Sequence, residues 1–542
     1  MRRTTVVLGL VLALLVAFGV VGIAIAAVPT DTSALRTAVS VERIMAHENA
    51  FQNIADANGG TRVSGTSGYD ASAAYVKEKL EAAGYKVTEQ KFTYPFFQEL
   101  TPTTFSRTDG TAKSYVDGTG EGTDENPPGY FHIMSYSGSA DVVDAPVVPT
   151  NDIQIPPGST ANSSSSGCEA SDFVPASETE DQVALIQRGG GSPGCNFQTK
   201  ALNAQDAGYD AAIIFNEGQP GRTEVIPGTL SGLHPDHLDG EQWIPVLMTS
   251  FAVGEELYDA YNEASPDARV PRVSISSRTL VQPRETSNII ADYPGGRTDR
   301  TLIVGAHLDS VPEGPGINDN GSGTAGILEI ALQMKKLGIK PTNHVRFAFW
   351  GAEESGPPQW GSDYYVDQLD QPQRKDIALY LNFDMIGSPN YVRFVYDGDG
   401  NAVGPPGPNG SGTIEKVFRD YFASEGLATE PTPFDGRSDY LPFLQAGIPA
   451  GGLISGADGI KTTEQAAIYG GTAGLPYDSC YHEACDTIGN LNRLSIEELA
   501  DGAAHATLTF AQTTSAVKGT DKASKTNTAT SKMEYEGPMA IK

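Results

Sequence analysis

Residues 301–307 read TLIVGAH, an uninterrupted apolar run that ends in a histidine, and this run decides the predicted fold. Two later runs have the same form, because each is mainly apolar and leads into acidic residues. They are residues 345–350 (VRFAFW) ahead of Glu353 and Glu354, and residues 377–383 (IALYLNF) ahead of Asp384. Short apolar runs are typical of buried strands, and an open α/β sheet binds its ligands outside the carboxyl ends of its strands. The sequence therefore predicts that His307 and these acids meet at one sheet edge.

Two residues of the same chemical type are predicted to reach this edge from loops. Asp319 lies within residues 314–323 (GPGINDNGSG), a tight polar loop before an amphipathic helix, and His482 belongs to a later loop. Taken alone, Asp319 could be a turn or N-cap residue and His307 a hydrogen-bonded core histidine. Their convergence with the acids is better explained by metal, with the Asp319 carboxylate bridging two cations. Two histidines and three carboxylates suit Zn²⁺, for which Mn²⁺ or Co²⁺ could substitute.

The Glu353–Glu354 pair divides two tasks between adjacent residues. Their side chains point in different directions, so one can bind metal while the other faces a bound water. A metal lowers the pKa of its water to about 7, and a nearby carboxylate can then take the proton. Asp309 follows His307 by two residues and could hold the other nitrogen of the ring. These residues predict metal-assisted hydrolysis, although a glutamate pair by itself also suits the first turn of a helix.

Composition restricts the class of protein. A chain of 542 residues with 39% apolar residues, 60 glycines and 35 prolines fits a loop-rich globular protein of two or more domains. The net charge of −30 excludes nucleic acid as an expected partner, because phosphate backbones bind basic patches. An acidic, soluble surface is the interpretation that we adopt.

The first 27 residues are predicted to be a signal peptide. Arg2 and Arg3 precede an apolar run from Val6 to Ala27, and small residues offer a cleavage site near Ala26–Ala27. An uncleaved anchor is the alternative, because the run is nearly long enough to span a bilayer. We expect a secreted, extracellular protein without stable membrane association after cleavage.

The chain has four cysteines, and an even number in an exported protein indicates disulfides. Proximity in the sequence favours the pairs Cys168–Cys195 and Cys480–Cys485, with free buried thiols as the alternative. No CxxC pair occurs, so a zinc finger is not expected.

Residues 130–270 differ in sequence pattern from the rest of the chain, because short β-like runs alternate with glycine, serine and proline. This segment resembles the protease-associated (PA) domain, a mostly β module found in exported peptidases. The resemblance rests on residues 183–189 (VALIQRG), 195–197 (CNF), Lys200, 207–208 (AG) and 213–216 (IIFN).

Residues 275–515 alternate strand and helix patterns, which indicates α/β architecture. Residues 100–130, rich in Thr, Gly, Asp and Pro, are predicted to be a loop-rich junction.

Five motifs resemble those of peptidase family M28, the zinc aminopeptidases of the Streptomyces leucine aminopeptidase and aminopeptidase Y kind. They are residues 305–311 (GAHLDSV), 316–323 (GINDNGSG), 349–354 (FWGAEE), 381–387 (LNFDMIG) and 480–482 (CYH). The resemblance implies a three-layer α/β/α domain with a mixed central sheet and an inserted β-rich PA domain. We assign the α/β domain to residues 36–128 and 270–515, the insert to 129–269, and a disordered tail to 516–542.

The resemblance also implies a role for each matching residue. His307 and Asp384 would hold one zinc, Glu354 and His482 would hold the other, and Asp319 would bridge the two.

The remaining roles concern the substrate. Glu353 would be the general base and then the acid that protonates the leaving amine. Tyr481 would donate to the oxyanion, and Arg437 would help to hold the substrate. A bond between Cys480 and Cys485 would clamp the loop that carries Tyr481.

The resemblance favours a monomeric aminopeptidase that acts on peptides with a free N-terminus, with leucine-type substrates as the family default. The residues themselves leave open a carboxypeptidase or dipeptidase on the same two-zinc scaffold, because Arg437 could meet a carboxylate. A glutaminyl-cyclase-like transferase is a further alternative, although such sites favour one metal. A catalytically silent protein that binds through its PA domain is the alternative from another class.

Overall fold

The computed structural model describes most of the chain, and the rest is not discussed. The described residues are 30–110, 112–118, 129–190, 194–263, 270–356 and 358–518. The predicted signal peptide lies outside them, as does the predicted tail beyond its first three residues, which end a short helix. Those from Thr32 onward belong to one structural unit.

The described residues form fourteen strands. They are β1 (Lys86–Arg107), β2 (Lys113–Ser114), β3 (Phe131–Ile133), β4 (Ala140–Pro149), β5 (Val183–Gln187), β6 (Ala211–Phe215), β7 (Val246–Thr249), β8 (Arg272–Asp292), β9 (Arg297–His307), β10 (Asn343–Trp350), β11 (Ile377–Phe383), β12 (Phe394–Tyr396), β13 (Glu430–Thr432) and β14 (Ala450–Ile454).

Thirteen α-helices connect or flank these strands within the described ranges. They are α1 (Ser33–Ala38), α2 (Val41–Ala57), α3 (Ser67–Ala82), α4 (Phe197–Asp206), α5 (Phe251–Glu263), α6 (Gly323–Lys336), α7 (Trp360–Asp367), α8 (Gln371–Asp376), α9 (Ser411–Ser424), α10 (Tyr440–Gln445), α11 (Thr463–Tyr469), α12 (Arg493–Gln512) and α13 (Ser515–Lys518).

The central sheet is mixed, as predicted. Strands β10, β9, β11 and β14 are parallel neighbours, while β8 and β12 pair antiparallel at either side of this group. The three apolar runs of the sequence are therefore adjacent strands with the same direction. Their carboxyl ends meet at one edge, because Trp350 of β10 lies opposite His307 of β9.

Helices cover both faces of this sheet, which confirms the three-layer prediction. Alternate residues of β9 pack on opposite faces of the sheet. Leu302 and Val304 lie in one apolar cluster with residues of α6 and α12. Ile303 packs in another, where Tyr380 stacks on Phe443 of α10 with ring centroids 4.0 Å apart. Successive side chains of a strand point to opposite faces, so an uninterrupted apolar run is what a doubly covered strand requires.

The two longest strands, β1 and β8, form one antiparallel ribbon that belongs to both parts of the molecule. At one end β8 pairs with β10 of the central sheet, and at the other end it pairs with β4 of the insert. The prediction of a loop-rich junction at 100–130 is therefore wrong for its first residues, because β1 continues to Arg107. Its pairing with β8 supplies the hydrogen bonds, and its β-branched threonines suit a strand.

The insert has its own β layer and two apolar clusters. Strands β4, β5, β6 and β7 are parallel neighbours in that order, and β3 pairs antiparallel with β7. The structure joins Cys168 to Cys195 here and Cys480 to Cys485 in the other part. In the ranges that the structure describes, no helix is both long and apolar enough to cross a membrane.

Candidate metal centre

The side chains predicted to bind metal lie together at the carboxyl edge of the sheet. His307 ends β9, Asp384 follows the last residue of β11, and Glu354 follows β10 after a short turn. Asp319 lies in the segment Ile317–Ser322 before α6, and His482 comes from the loop after α11. The fold therefore brings these five residues, which span 176 positions of the sequence, to one place.

The Asp319 carboxylate lies between two groups of ligating atoms. Its Oδ1 is 3.2 Å from His307 Nε2, which is itself 3.3 Å from Asp384 Oδ1. Its Oδ2 is 3.4 Å from His482 Nε2, which is 3.1 Å from Glu354 Oε2. Each group offers three ligand atoms within 4.8 Å of one another, and Asp319 belongs to both. A carboxylate with one oxygen in each group has the geometry of a bridging ligand.

The buried atoms of this cluster lack partners that a cation would supply. Glu354 Oε1, Asp384 Oδ1 and His482 Nε2 are buried without a hydrogen-bond partner among the described residues. An unpaired buried polar group costs free energy, and a buried charge requires a counter-charge. Imidazole nitrogen and carboxylate oxygen are the ligands that zinc binds in catalytic sites. The residues therefore fit a zinc centre.

The shifted pKa values of the cluster also indicate that it lacks positive charge. Burial raises the pKa of Glu353 well above its usual range and that of Glu354 to about 7. Burial lowers the pKa of both histidines, but the adjoining carboxylates outweigh it and raise both pKa values. Bound protons therefore neutralise part of the negative charge of the carboxylates. A metal ion would compete with these protons for the same oxygen and nitrogen atoms.

Three non-glycine residues with positive φ lie in the segments that carry the ligands. They are Ala352 (φ 57°), Met385 (φ 50°) and His482 (φ 58°). Left-handed backbone is unfavourable for side chains with a Cβ and persists where surrounding contacts impose it. The turns after β10 and β11 are therefore held in the conformation that points Glu354 and Asp384 inward.

Several residues that position the ligands were not identified from the sequence. Ser438 Oγ donates to Asp384 Oδ2 at 2.5 Å, and the Asp486 carboxylate accepts the backbone N–H groups of Asn318 and Asp319, each at 2.9 Å. Ser438 directly follows Arg437, which is the one signal in the sequence that could have identified it. No local pattern distinguishes Asp486 from other loop acids.

Arg62 is a further residue that sequence reasoning missed. Its guanidinium is fully buried and donates to the backbone carbonyls of Leu308, Pro315 and Gly316. These carbonyls belong to the loop between β9 and Asp319, so one side chain fixes that loop at three points. The predicted partner of the His307 ring, Asp309, lies 3.6 Å from its Nδ1.

A cavity of about 170 Å³ adjoins the centre and contains Glu353 on its wall. Its other walls are largely apolar, with Met385, Phe394 and Ile454 among them. Arg437 also lines it, donating from Nη1 to Asp458 at 2.9 Å and from Nη2 to Tyr481 Oη at 3.3 Å. The cavity can accept one apolar side chain.

Tyr481 is held next to His482, the predicted metal ligand, by covalent and ring contacts. Their rings stack with centroids 3.8 Å apart, and the Cys480–Cys485 bond closes the loop around them. Burial raises the pKa of Tyr481 well above its usual range. The phenol therefore keeps its proton at neutral pH and remains a hydrogen-bond donor.

Known proteins share this architecture over most of the chain. It is 42% identical over 457 residues to an aminopeptidase of Pseudomonas aeruginosa, covering 84% of this chain and 78% of that protein. It is 35% identical over 463 residues to leucine aminopeptidase 2 of Trichophyton equinum, covering 85% and 82%.

Solved structures show the same fold. An aminopeptidase from Aneurinibacillus sp. strain AM-1 matches with a TM-score of 0.63 and 21% identity, covering 88% of this chain and 95% of that one. A zinc aminopeptidase from Bacillus subtilis matches with a TM-score of 0.54 and 22% identity, covering 86% and 94%. Family models match residues 288–507 as peptidase family M28 and residues 143–257 as a PA domain. The chain therefore belongs to peptidase family M28 and carries a PA domain inserted between strands of the peptidase sheet.

Proposed function

We propose that this chain is a secreted zinc aminopeptidase that releases the N-terminal residue, preferably leucine or another hydrophobic residue, from peptides. The observation that carries the proposal is Asp319, whose two oxygens each face a separate histidine–carboxylate pair. The relatives that are named aminopeptidases and cover most of this chain support the same activity.

Two zinc ions are proposed for this centre, with Mn²⁺ or Co²⁺ as substitutes. His307 and Asp384 would hold one ion, Glu354 and His482 the other, and Asp319 both. When bound, such a pair supplies a water of lowered pKa and polarises the carbonyl of the scissile bond.

Glu353 is proposed to move the proton of the reaction. It lines the cavity at the centre, and burial raises its pKa, which suits a carboxylate that accepts a proton near neutral pH. Glu353 would take the proton of the attacking water and then transfer it to the nitrogen of the leaving peptide. Tyr481, held as a neutral phenol, would donate to the oxygen that becomes negative.

Recognition of a free N-terminus is proposed to depend on two carboxylates of the centre. Glu353 and Asp384 both line the 170 Å³ cavity and could hold an α-ammonium group there. Met385, Phe394 and Ile454 would contact the side chain of the first residue. Arg437, which is proposed to hold the substrate, already donates to Asp458, so its charge is partly compensated.

Aminoacyl p-nitroanilides test this function directly. We expect the leucine compound to be cleaved, its N-acetyl form to resist cleavage, and a chelator to abolish activity that zinc restores. Cleavage of acetylated peptides with release of their C-terminal residue would instead establish the carboxypeptidase alternative. Hydrolysis that persists after exhaustive chelation, with no metal detected by elemental analysis, would contradict the metal centre.

Export is part of the proposal and is supported by the two disulfides, which persist in oxidising compartments. Recovery of the protein from culture medium with an N-terminus near Ala27 is the expected result. A chain that stays in the membrane fraction with Met1 intact would favour the uncleaved anchor.

A further inference from the structure

A second and larger cavity reaches the metal centre from the side of the insert. Its volume is about 660 Å³, and Glu354 lines both it and the 170 Å³ cavity, while His482 lines the larger one. The insert contributes one wall through His132 and Tyr136, and Asp117, from the segment that precedes the insert, lies beside them. Cavities of roughly 300–1,000 Å³ are the size that binds ligands.

The chemistry of this cavity is acidic and apolar together. Its wall carries the carboxylates of Glu99, Asp117 and Glu313 in addition to Glu354, and no lysine or arginine is among the described residues that line it. The remaining lining is partly polar, with serines, Gln98, His132 and His482, and partly apolar. It includes Val63, Phe97, Ile133, Pro227 and Val311. Lysine and arginine combine an apolar stem with a cationic end, so they match such a surface better than other side chains do.

The wall formed by the insert is fixed relative to the metal centre. Tyr136 Oη donates to the backbone carbonyl of Ser355, the residue after Glu354, at 2.5 Å. The Asp117 carboxylate is 2.9 Å from His132 Nδ1, which orients both side chains on that wall. The insert therefore contacts the turn that carries a proposed metal ligand, and its His132 holds Asp117 near the reaction.

The position of the cavity assigns it to one part of the substrate. The 170 Å³ cavity has room for the side chain of the first residue but not for a peptide chain. Because Glu354 lines both cavities, the chain beyond the scissile bond can extend past Glu354 into the larger cavity.

We propose that this acidic cavity binds the leaving peptide and selects substrates with lysine or arginine after the cleaved residue. The inference rests on the proposed aminopeptidase function and adds the substrate class. Acidic residues at the second and third positions are disfavoured, because their carboxylates meet those of the wall. Dipeptides are disfavoured for the same reason, because their free carboxylate lies close to the scissile bond.

Matched tetrapeptide amides provide the test. The zinc-loaded full chain is assayed with Leu-Lys-Gly-Gly-amide, Leu-Gln-Gly-Gly-amide and Leu-Glu-Gly-Gly-amide, and released leucine gives kcat/KM for each. The expected order is Lys, Gln, Glu, with roughly fivefold between neighbours, as one or two partly screened charge pairs provide. Increasing the salt concentration should reduce the differences.

Substitutions in the cavity wall test whether the cavity causes this order of kcat/KM. Asp117→Asn and Glu313→Gln should each reduce the Lys-to-Glu ratio of kcat/KM about two- to fivefold. Glu263→Gln, an exposed acid at the end of α5 that does not line the cavity, should leave the ratio unchanged.

Equal kcat/KM for the three peptides, or a ratio that neither wall variant alters, would overturn the inference while leaving the aminopeptidase function intact. Failure to release leucine from any peptide, with zinc bound and the fold preserved by circular dichroism, would overturn both.

Discussion

Ser438 donates a hydrogen bond from its Oγ to Asp384 Oδ2 at 2.5 Å. The other oxygen of Asp384 has no hydrogen-bond partner among the described residues and lies 3.3 Å from His307 Nε2. The serine therefore fixes the orientation of the carboxylate and leaves one oxygen free for a metal. Hydrogen bonds of this kind hold metal ligands in place throughout metalloenzymes.

Ser438→Ala should weaken metal binding about 10- to 100-fold, because Asp384 loses the contact that orients it. Chelator competition, followed by elemental analysis, measures the affinity. Ser165→Ala, on the exposed surface of the insert, is the matched control. An unchanged metal affinity in Ser438→Ala would show that packing alone orients Asp384.

Glu353→Gln should retain both metals and reduce kcat about 10²- to 10⁴-fold, because the amide cannot accept the proton. The substitution keeps the shape of the side chain, so the fold and the metal content should be those of the wild type. Glu464→Gln, in the exposed first turn of α11, should keep full activity. A fully active Glu353→Gln protein would refute the general-base role.

His482→Ala should lower the zinc content from two ions towards one per chain, because one of the two ligand groups loses its nitrogen. Elemental analysis after dialysis measures the stoichiometry. His237→Ala provides a histidine control in the insert, away from the centre. If His482→Ala retained the wild-type zinc stoichiometry, this histidine would not be a ligand.

The two disulfides should differ in what they stabilise. Loss of a bridge over 27 residues costs about 3.5 kcal/mol in the chain-entropy model and loss of one over 5 residues costs about 2 kcal/mol. Replacing Cys168 and Cys195 by serine should therefore lower thermal stability more. Replacing Cys480 and Cys485 should lower activity more, because that bond closes the loop of Tyr481 and His482.

These two double variants are controls for each other. Thermal unfolding and kcat are measured for both under the same conditions. A similar loss of activity in both would mean that the Cys480–Cys485 bond has no specific influence on the metal centre.

Stability should fall between pH 6.5 and pH 4 in part through His505. Burial, assisted by the charge of Arg36, lowers the pKa of His505 from 6.5 to about 4. In that pH range the unfolded chain binds more protons than the folded chain, so acidification favours unfolding. At pH 5 this lowers the free energy of unfolding by about 1–2 kcal/mol relative to neutral pH. His505→Gln should lose less stability than the wild type between pH 7 and pH 5 in urea titrations. Equal losses would contradict this contribution.

The strands and their chemically active ends were predictable because both are local properties of the sequence. An apolar run such as residues 301–307 indicates a strand covered on both faces, and the direction of the chain places His307 at its carboxyl end. Parallel neighbours then bring such ends together without further information. The mixed sheet and the PA insert were implied by the family resemblance, and both are confirmed.

The contacts that support the ligands could not be predicted because they join distant segments. Arg62 is 246 residues from Leu308, and Asp486 is 167 residues from Asp319. Neither has a local signature, since a buried arginine and a surface one have the same sequence neighbours. The prediction of a loop from residue 100 onward was wrong for the same reason, because only the pairing of β1 with β8 in one ribbon identifies Thr101 and Thr104 as strand residues.

That ribbon has a consequence for how the enzyme admits its substrates. Two strands of 22 and 21 residues run through both parts of the molecule, and the register of their pairing shifts between Glu99 and Thr104. Moving the insert away from the peptidase sheet would bend this ribbon, and the pairing is least regular between Glu99 and Thr104. We expect short or unstructured chains to be better substrates than folded proteins with ordered N-termini, because an N-terminus has to reach the buried side chains of His307, Asp319 and Asp384.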